Sequence, residues 1–164
     1  MKKVNFTKFL IILLTPILLA GCATNSVEPI EEDIAIPLGN TGVTVEIPSK
    51  YGFEAKTSER NDFFGRSSNG DWCIIVNHDE KGDYSLEEYA QEVAEANGAS
   101  KAKLAADGNY YFEYINGDYH FYTAVRQNDE YYYRVAFYCF EDLWSQYESE
   151  FSDWATTIKL NQNV

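Results

Sequence analysis

The chain has 164 residues, enough for one domain of ordinary size with a tail and too few for a two-lobed solute receptor or a multidomain enzyme. Apolar residues make up 45%, and 13 Tyr, 10 Phe and 3 Trp bring the aromatic share to 16%, which excludes wholesale disorder. Thirteen Lys and Arg against 26 Asp and Glu leave a net charge of −13, which argues against binding a phosphate backbone, because that needs a basic surface.

Lys2, Lys3 and Lys8 open the chain as a positive segment, and Phe9 to Ala20 follows as a mainly apolar run interrupted by Thr15 and Pro16. A spanning helix needs roughly 20 apolar residues, so this run has the size of a signal-peptide core instead. It ends in Leu19-Ala20-Gly21-Cys22, an aliphatic residue and two small ones before a cysteine, which resembles a bacterial lipobox. The resemblance implies cleavage after Gly21, a diacylglycerol on the Cys22 thiol, and anchoring at the extracytoplasmic face of the cell membrane. Taking 21 residues and three lysines from the chain leaves 143 residues at a net charge of −16. Anionic headgroups repel such a surface, so the lipid itself must hold the protein to the membrane.

Residues 22–35 read as the lipidated cysteine and an acidic tether. Ala23 to Asp33 has no apolar period and several acids, so it is expected to be extended and solvated, with a reach of up to ~35 Å. Residues 36–164 read as a single domain. Val43, Val45 and Ile47 alternate with Thr44 and Glu46 as a half-buried strand that ends at Pro48. Phe63 and Phe64 lead into the turn Ser67-Ser68-Asn69-Gly70. The continuous run Trp72 to Val76 predicts a central strand covered on both faces. A helix is predicted over Ser85 to Asn97: Ser85 and Glu88 form a capping box, Leu86, Tyr89, Ala90, Val93 and Ala94 make an apolar stripe, and Gly98 follows as the stop. Asn109 to Phe140 predicts a three-strand meander turning at Asn116-Gly117 and Asn128-Asp129. Glu141 and Asp142 open a last helix, with Trp144, Tyr147, Phe151, Trp154, Ala155 and Ile158 on one bulky stripe.

The order of strands, helix, meander and helix is that of an α+β fold with an antiparallel sheet and two packed helices. Val43 to Pro48 followed by Tyr51, the run Ser85 to Tyr89, the Asn116-Gly117 hairpin and the closing run Phe151 to Ile158 resemble the PsbP-like family of small lipoproteins, over about residues 36 to 160. The resemblance implies a fold in which an antiparallel sheet packs between helices. Its motifs are structural rather than catalytic.

With two-residue turns, one face of the meander carries Tyr110, Phe112, Tyr114, Tyr119, Phe121, Val125, Tyr132, Arg134 and Tyr138, and is the natural partner of a helix. The opposite, mixed face carries Tyr111, Glu113, His120, Tyr122, Arg126, Tyr131 and Tyr133, with Val135, Phe137 and Cys139. Glu113 then stands opposite His120, which reads either as a cross-strand ion pair or as an acid/base pair. Arg126 stands opposite Tyr131, a cation–π arrangement. His78, Asp79, Glu80 and Asp83 gather as an acidic loop without the spacing of an EF-hand or a zinc site. Cys73 and Cys139 lie in two apolar strands, and the choice between free buried thiols and a disulfide depends on their geometry.

The reading is a non-enzymatic binding or accessory module, lipidated on Cys22 and with neither metal nor organic cofactor. Its binding residues are expected to be Tyr111, Tyr122, Arg126, Tyr131 and Tyr133 on the mixed face, left open to an envelope protein, peptide or glycan, because Tyr and Arg dominate binding hot spots. The competing reading is a small hydrolase or metal-dependent enzyme built on Glu113 and His120.

Overall fold

The computed structural model describes residues 32–161. The expected signal peptide, Cys22 and most of the expected tether lie outside these residues. The elements are β1 (Asp33–Pro37), β2 (Val43–Pro48), β3 (Phe53–Lys56), β4 (Phe63–Ser67), β5 (Trp72–Glu80), α1 (Leu86–Ala96), β6 (Lys103–Leu104), β7 (Tyr110–Asn116), β8 (Tyr119–Gln127), β9 (Tyr131–Phe140), α2 (Trp144–Thr156) and β10 (Lys159–Leu160). β1 begins at Asp33, ahead of the domain start expected at residue 36, because Ile34 and Ile36 pair in register with Ile47 and Val45.

The strands form two antiparallel sheets, a large one in the order β3-β4-β5-β9-β8-β7-β6 and a small one in the order β1-β2-β10. The fold class is therefore α+β, with the predicted meander β7-β8-β9 and helices α1 and α2. Both helices have local causes. The Ser85 hydroxyl accepts the Glu88 N–H while the Glu88 carboxylate accepts the Ser85 N–H, and Gly98 follows Asn97 with φ at +81°. α2 is preceded by a 3-10 turn over Glu141–Leu143, so it starts later than the acidic pair suggested.

Both meander turns sit one residue beyond their expected places. Asn116 still pairs with Tyr119, so the first turn is Gly117-Asp118, with Gly117 at φ +62°. In the second, Asn128 Oδ1 accepts the N–H groups of Glu130 and Tyr131 at 2.9 and 2.8 Å and holds the chain in register until Tyr131. A shift of this kind changes which residues oppose each other and leaves each side chain on its predicted face.

The inner face of the large sheet carries Trp72, Ile74 and Val76 from β5, Tyr122 and Ala124 from β8, and Tyr133, Val135, Phe137 and Cys139 from β9. α2 and the small sheet close over it with Tyr147, Phe151, Trp154, Val43, Val45 and Ile47. The outer face carries α1, whose Tyr89, Ala90 and Ala94 bury Phe112, Val125 and Tyr132. β5 is central in the sheet but is not covered on both faces as predicted. Trp72, Ile74 and Val76 are buried, while Cys73 and Ile75 are half-exposed on the outer side. α1 lies over the β7-β8 end of the sheet and leaves the part of the outer face around Cys73 and Ile75 uncovered.

Candidate functional site: the uncovered outer face

The structure closes the face expected to be open. Tyr122, Arg126 and Tyr133 are 6%, 5% and 3% exposed, and Tyr111 and Tyr131 are half-buried at the rim of the same cluster. The physical reason is the bulk of the α2 stripe, whose four aromatic rings need the larger partner face. The polar groups of that face are satisfied from distant parts of the chain. Arg126 donates to the backbone oxygen of Ala155 at 2.7 Å, in the last turn of α2, and pairs with Asp107 at 3.0 Å. Burial pulls the Arg126 guanidinium below its ordinary pKa and Asp107 opposes that shift. Arg126 stands opposite Tyr133, not Tyr131, and Tyr111 stacks on Tyr122 with centroids 5.2 Å apart. Tyr122 and Tyr133 are core and Arg126 is a helix cap, so the five residues do not form the open platform expected from them, and only Tyr111 and Tyr131 keep partial exposure.

Glu113 and His120 are not partners. Glu113 faces Tyr122 across the ladder and accepts from Lys103 Nζ at 3.1 Å. His120 faces Ile115 and Cys139, stacks on Trp144 with centroids 3.6 Å apart and bonds to Glu141 at 2.7 Å through Nδ1. The acid/base pair of the competing reading is therefore taken apart by the turn shift. His78, Asp79 and Glu80 are not in a loop but extend β5, with His78 Nδ1 2.7 Å from Asp62 and Asp79 paired with Arg134. Among the described residues no three His, Cys, Asp or Glu side chains gather as a metal-holding group.

Cys73 and Cys139 sit on neighbouring strands, yet they face opposite ways. Cys73 is registered with Tyr138 on the outer face and Cys139 with Trp72 on the inner face, and both are free thiols. Burial pushes both thiols up, Cys139 to about 11 with help from Glu141 and Asp142.

The open surface is part of the face expected to partner a helix, where α1 covers Phe112, Val125 and Tyr132 and leaves the rest. From Tyr114, which packs at the edge of the α1 cluster, one cross-strand row runs Tyr114, Phe121, Tyr138, Cys73, Arg66 over five adjacent strands. Tyr114 and Phe121 stack at 4.6 Å and 8°, and Phe121 and Tyr138 at 4.7 Å and 23°. Rings stacked on one another across the strands have their faces taken. Tyr119 and Phe140, stacked at 4.7 Å, form an exposed ridge beside the row, at 38% and 43% exposure. A groove of about 620 Å³ runs between this row and the 57–61 loop, floored by Phe64, Ile75, Phe121 and Tyr138. A second concavity of about 220 Å³ lies on the other side of Tyr119, with Arg66 and Asp71 at its rim. The groove is within the range of ligand and anchor pockets, and the rings around it are hot-spot types. Burial first, and the Cys73 thiol second, raise the Tyr138 phenol, so its hydroxyl stays a neutral donor.

The fold has solved counterparts. The structure of cyanobacterial PsbP (CyanoP) from Synechocystis sp. PCC 6803 superposes with a TM-score of 0.55 at 18% identity, covering 87% of this chain and 99% of that one. The Saccharomyces cerevisiae Ran-binding protein Mog1p superposes with a TM-score of 0.52 at 10% identity, over 79% of this chain and 96% of that one. A Mog1 variant superposes at 0.53 and 11%, over 80% and 97%. The fold is PsbP-like. No protein-family model matches the sequence, and no curated protein matches it either.

Sequence reasoning named Tyr114, Tyr119, Phe121 and Tyr138 as one face and then assigned that face to a helix. The signal that points to its openness is the slightness of the α1 stripe, Leu86, Tyr89, Ala90, Val93 and Ala94, which covers one end of the three meander strands at Phe112, Val125 and Tyr132 and stops short of Phe121 and Tyr138.

Proposed function

We propose that the chain is an extracytoplasmic lipoprotein, held at the membrane by acyl groups on Cys22, that works as a non-enzymatic accessory module by taking a partner protein on its uncovered outer face. The observation that carries the binding reading is the row Tyr114-Phe121-Tyr138 with its ridge Tyr119 and Phe140, apolar on a fold whose polar residues are elsewhere abundant. Because the ring faces are taken up by one another, the surface offers a groove for inserted side chains rather than an open ring face, which favours a polypeptide over a sugar stacked flat on a ring. Mog1p, a Ran-binding protein on the same fold, supports a protein-binding role for this architecture. The lipobox-like Leu19-Ala20-Gly21-Cys22 supports the anchor.

Two arms test the proposal. Full-length protein, crosslinked in the cell envelope, is expected to capture a defined partner, and Tyr119→Ser with Phe140→Ser is expected to lose it while the thermal midpoint stays nearly unchanged. Capture that survives both substitutions overturns the surface. Cys22→Ser is expected to leave an unprocessed precursor, and a variant with unchanged mass and membrane retention overturns the anchor.

A further inference from the structure

The large sheet ends in a strand that is open on one side. β3 stands last in the strand order and pairs only with β4. Glu54, Ala55 and Lys56 are exposed along it, and Phe53 is half-buried. The register decides where its backbone points. The Gly52 carbonyl accepts the Ser68 N–H at 3.3 Å, so in an antiparallel ladder Glu54 and Lys56 also turn their N–H and C=O groups to β4. Phe53 and Ala55 turn theirs to the open side, where no strand pairs among the described residues.

The other strand edges are poorer templates. β6 and β10 are two residues long, and β1 runs from the acids Glu32 and Asp33 to Pro37, which has no N–H to give. β3 lacks these blocks, and its charges match a copy of itself. In an antiparallel pair about a two-fold axis at Ala55, each Ala55 N–H meets the Ala55 carbonyl of the other copy, in the hydrogen-bonding position that the β4 register leaves free. Glu54 then stands directly opposite Lys56 of the second copy, and Lys56 opposite its Glu54, in the non-hydrogen-bonded positions where side chains come closest. Within one chain Lys56 Nζ already lies 2.5 Å from Glu54, so the axis closes a ring of four alternating charges. The surrounding segment suits the approach as well. Residues 49–70 hold four Lys and Arg against three Asp and Glu, on a chain whose net charge is −13. The acids that would repel a second copy lie elsewhere in the sequence.

We infer that β3 is a self-pairing edge, through which two copies of the chain join their seven-stranded sheets into one antiparallel sheet across a two-fold axis at Ala55. Unpaired edge groups call for an extended backbone, and a strand of matching charge order supplies it. Four residues a side make a small contact, so the dimer is reversible and depends on concentration. The inference is independent of the partner groove, which lies on the outer face of the sheet rather than at its edge.

Two experiments on the full-length protein in non-ionic detergent test it, at about 0.15 M salt, where surface charges more than roughly 8 Å apart are screened. Ala55→Cys puts a thiol on the axis, at the ~5.5 Å Cα separation of a hydrogen-bonded pair, which a disulfide can span. Under mild oxidation, peptide mass analysis is expected to find the 55–55 link forming at least about tenfold faster than the 145–145 link of Ser145→Cys, an exposed position on α2. Sedimentation of protein without these cysteines is expected to show a monomer–dimer equilibrium. Glu54→Lys or Lys56→Glu alone is expected to weaken it about tenfold or more, because each sets like charges opposite one another at two symmetric places. Glu54→Lys combined with Lys56→Glu in one chain, and an equimolar mixture of the two single variants, are both expected to recover it to within about threefold, because each restores opposite charges across the axis. Monomer at every concentration, equal linking at 55 and 145, or no recovery in the combined swap overturns the inference.

Discussion

The two faces of the large sheet come from the same strands and differ in what covers them. The inner face meets α2 and a second sheet, so Tyr122, Tyr133, Cys139 and Arg126 are closed in and Phe137 packs between rings of α2. The outer face meets only α1, whose stripe is mostly alanine beyond Tyr89, and the cover stops at Phe112, Val125 and Tyr132. Composition does not separate the faces, since each carries a run of tyrosines. The mass of the helix stripe does: rings seek rings, and the bulky α2 took the mixed face although its edge is polar. Polar character was compatible with burial there because Arg126 found Asp107 and the α2 carbonyl.

The largest expected difference between the faces is in thiol chemistry. Cys73 and Cys139 lie on paired strands and point to opposite faces, so they report on the two covers separately. In the Cys22→Ser variant at pH 8, a maleimide or aromatic disulfide reagent is expected to label Cys73 in the native state. Cys139, 1% exposed and with its thiol pushed to about 11, is expected to label only through unfolding, roughly a thousandfold slower or more. Peptide mass analysis of labelled protein over time separates the two. Equal rates would mean that the inner cover opens as readily as the outer face.

Truncation of one ring on each face gives the next effect. Phe137 is fully buried between Phe151 and Trp154, so Phe137→Ala is expected to cost about 3–5 kcal/mol in urea unfolding. Phe121, half-exposed between Tyr114 and Tyr138, is expected to cost about 1 kcal/mol. Similar losses from both would show that the outer row is as much core as the inner one, and would remove the reason to treat it as a binding surface.

The sequence made the elements and faces readable because periodicity is local. The three meander strands, the α1 capping box and the α2 stripe from Trp144 to Ala155 stand where their spacing placed them, while Ile158 falls beyond the end of α2. The short edge strands β3, β6 and β10 and the first strand β1 were not read, because two to five residues are too few to show a period and their partners are remote. Turn register was missed by one residue at each hairpin. Asn116 and Asn128 are strong turn formers, but the first stays in the ladder and the second acts through its side chain on the residues that follow. The open half of the outer face needed the one fact that local pattern does not hold, which helix goes to which side.

The smallest effect tests the polar lock that lets the mixed face be buried. Burial by itself would raise the Asp107 carboxyl, but the backbone N–H and side-chain amide of Asn109, with Arg126, outweigh it and hold the carboxyl below its ordinary value. A carboxyl whose pKa is lower folded than unfolded stabilises the protein fully above the unfolded value, near pH 4, and loses that stabilisation as pH falls through the folded value. Asp107 is one-third exposed, so the contribution is screened and amounts to roughly 0.2–1 kcal/mol. Asp107→Asn is therefore expected to lower stability by about that much at pH 7 and to remove the same amount from the loss seen between about pH 5 and pH 2. Urea midpoints of the two proteins should converge at the acid end. Curves that stay parallel through that range would mean that Arg126 is held by the α2 carbonyl alone, and that the inner face tolerates its buried guanidinium without a counter-charge.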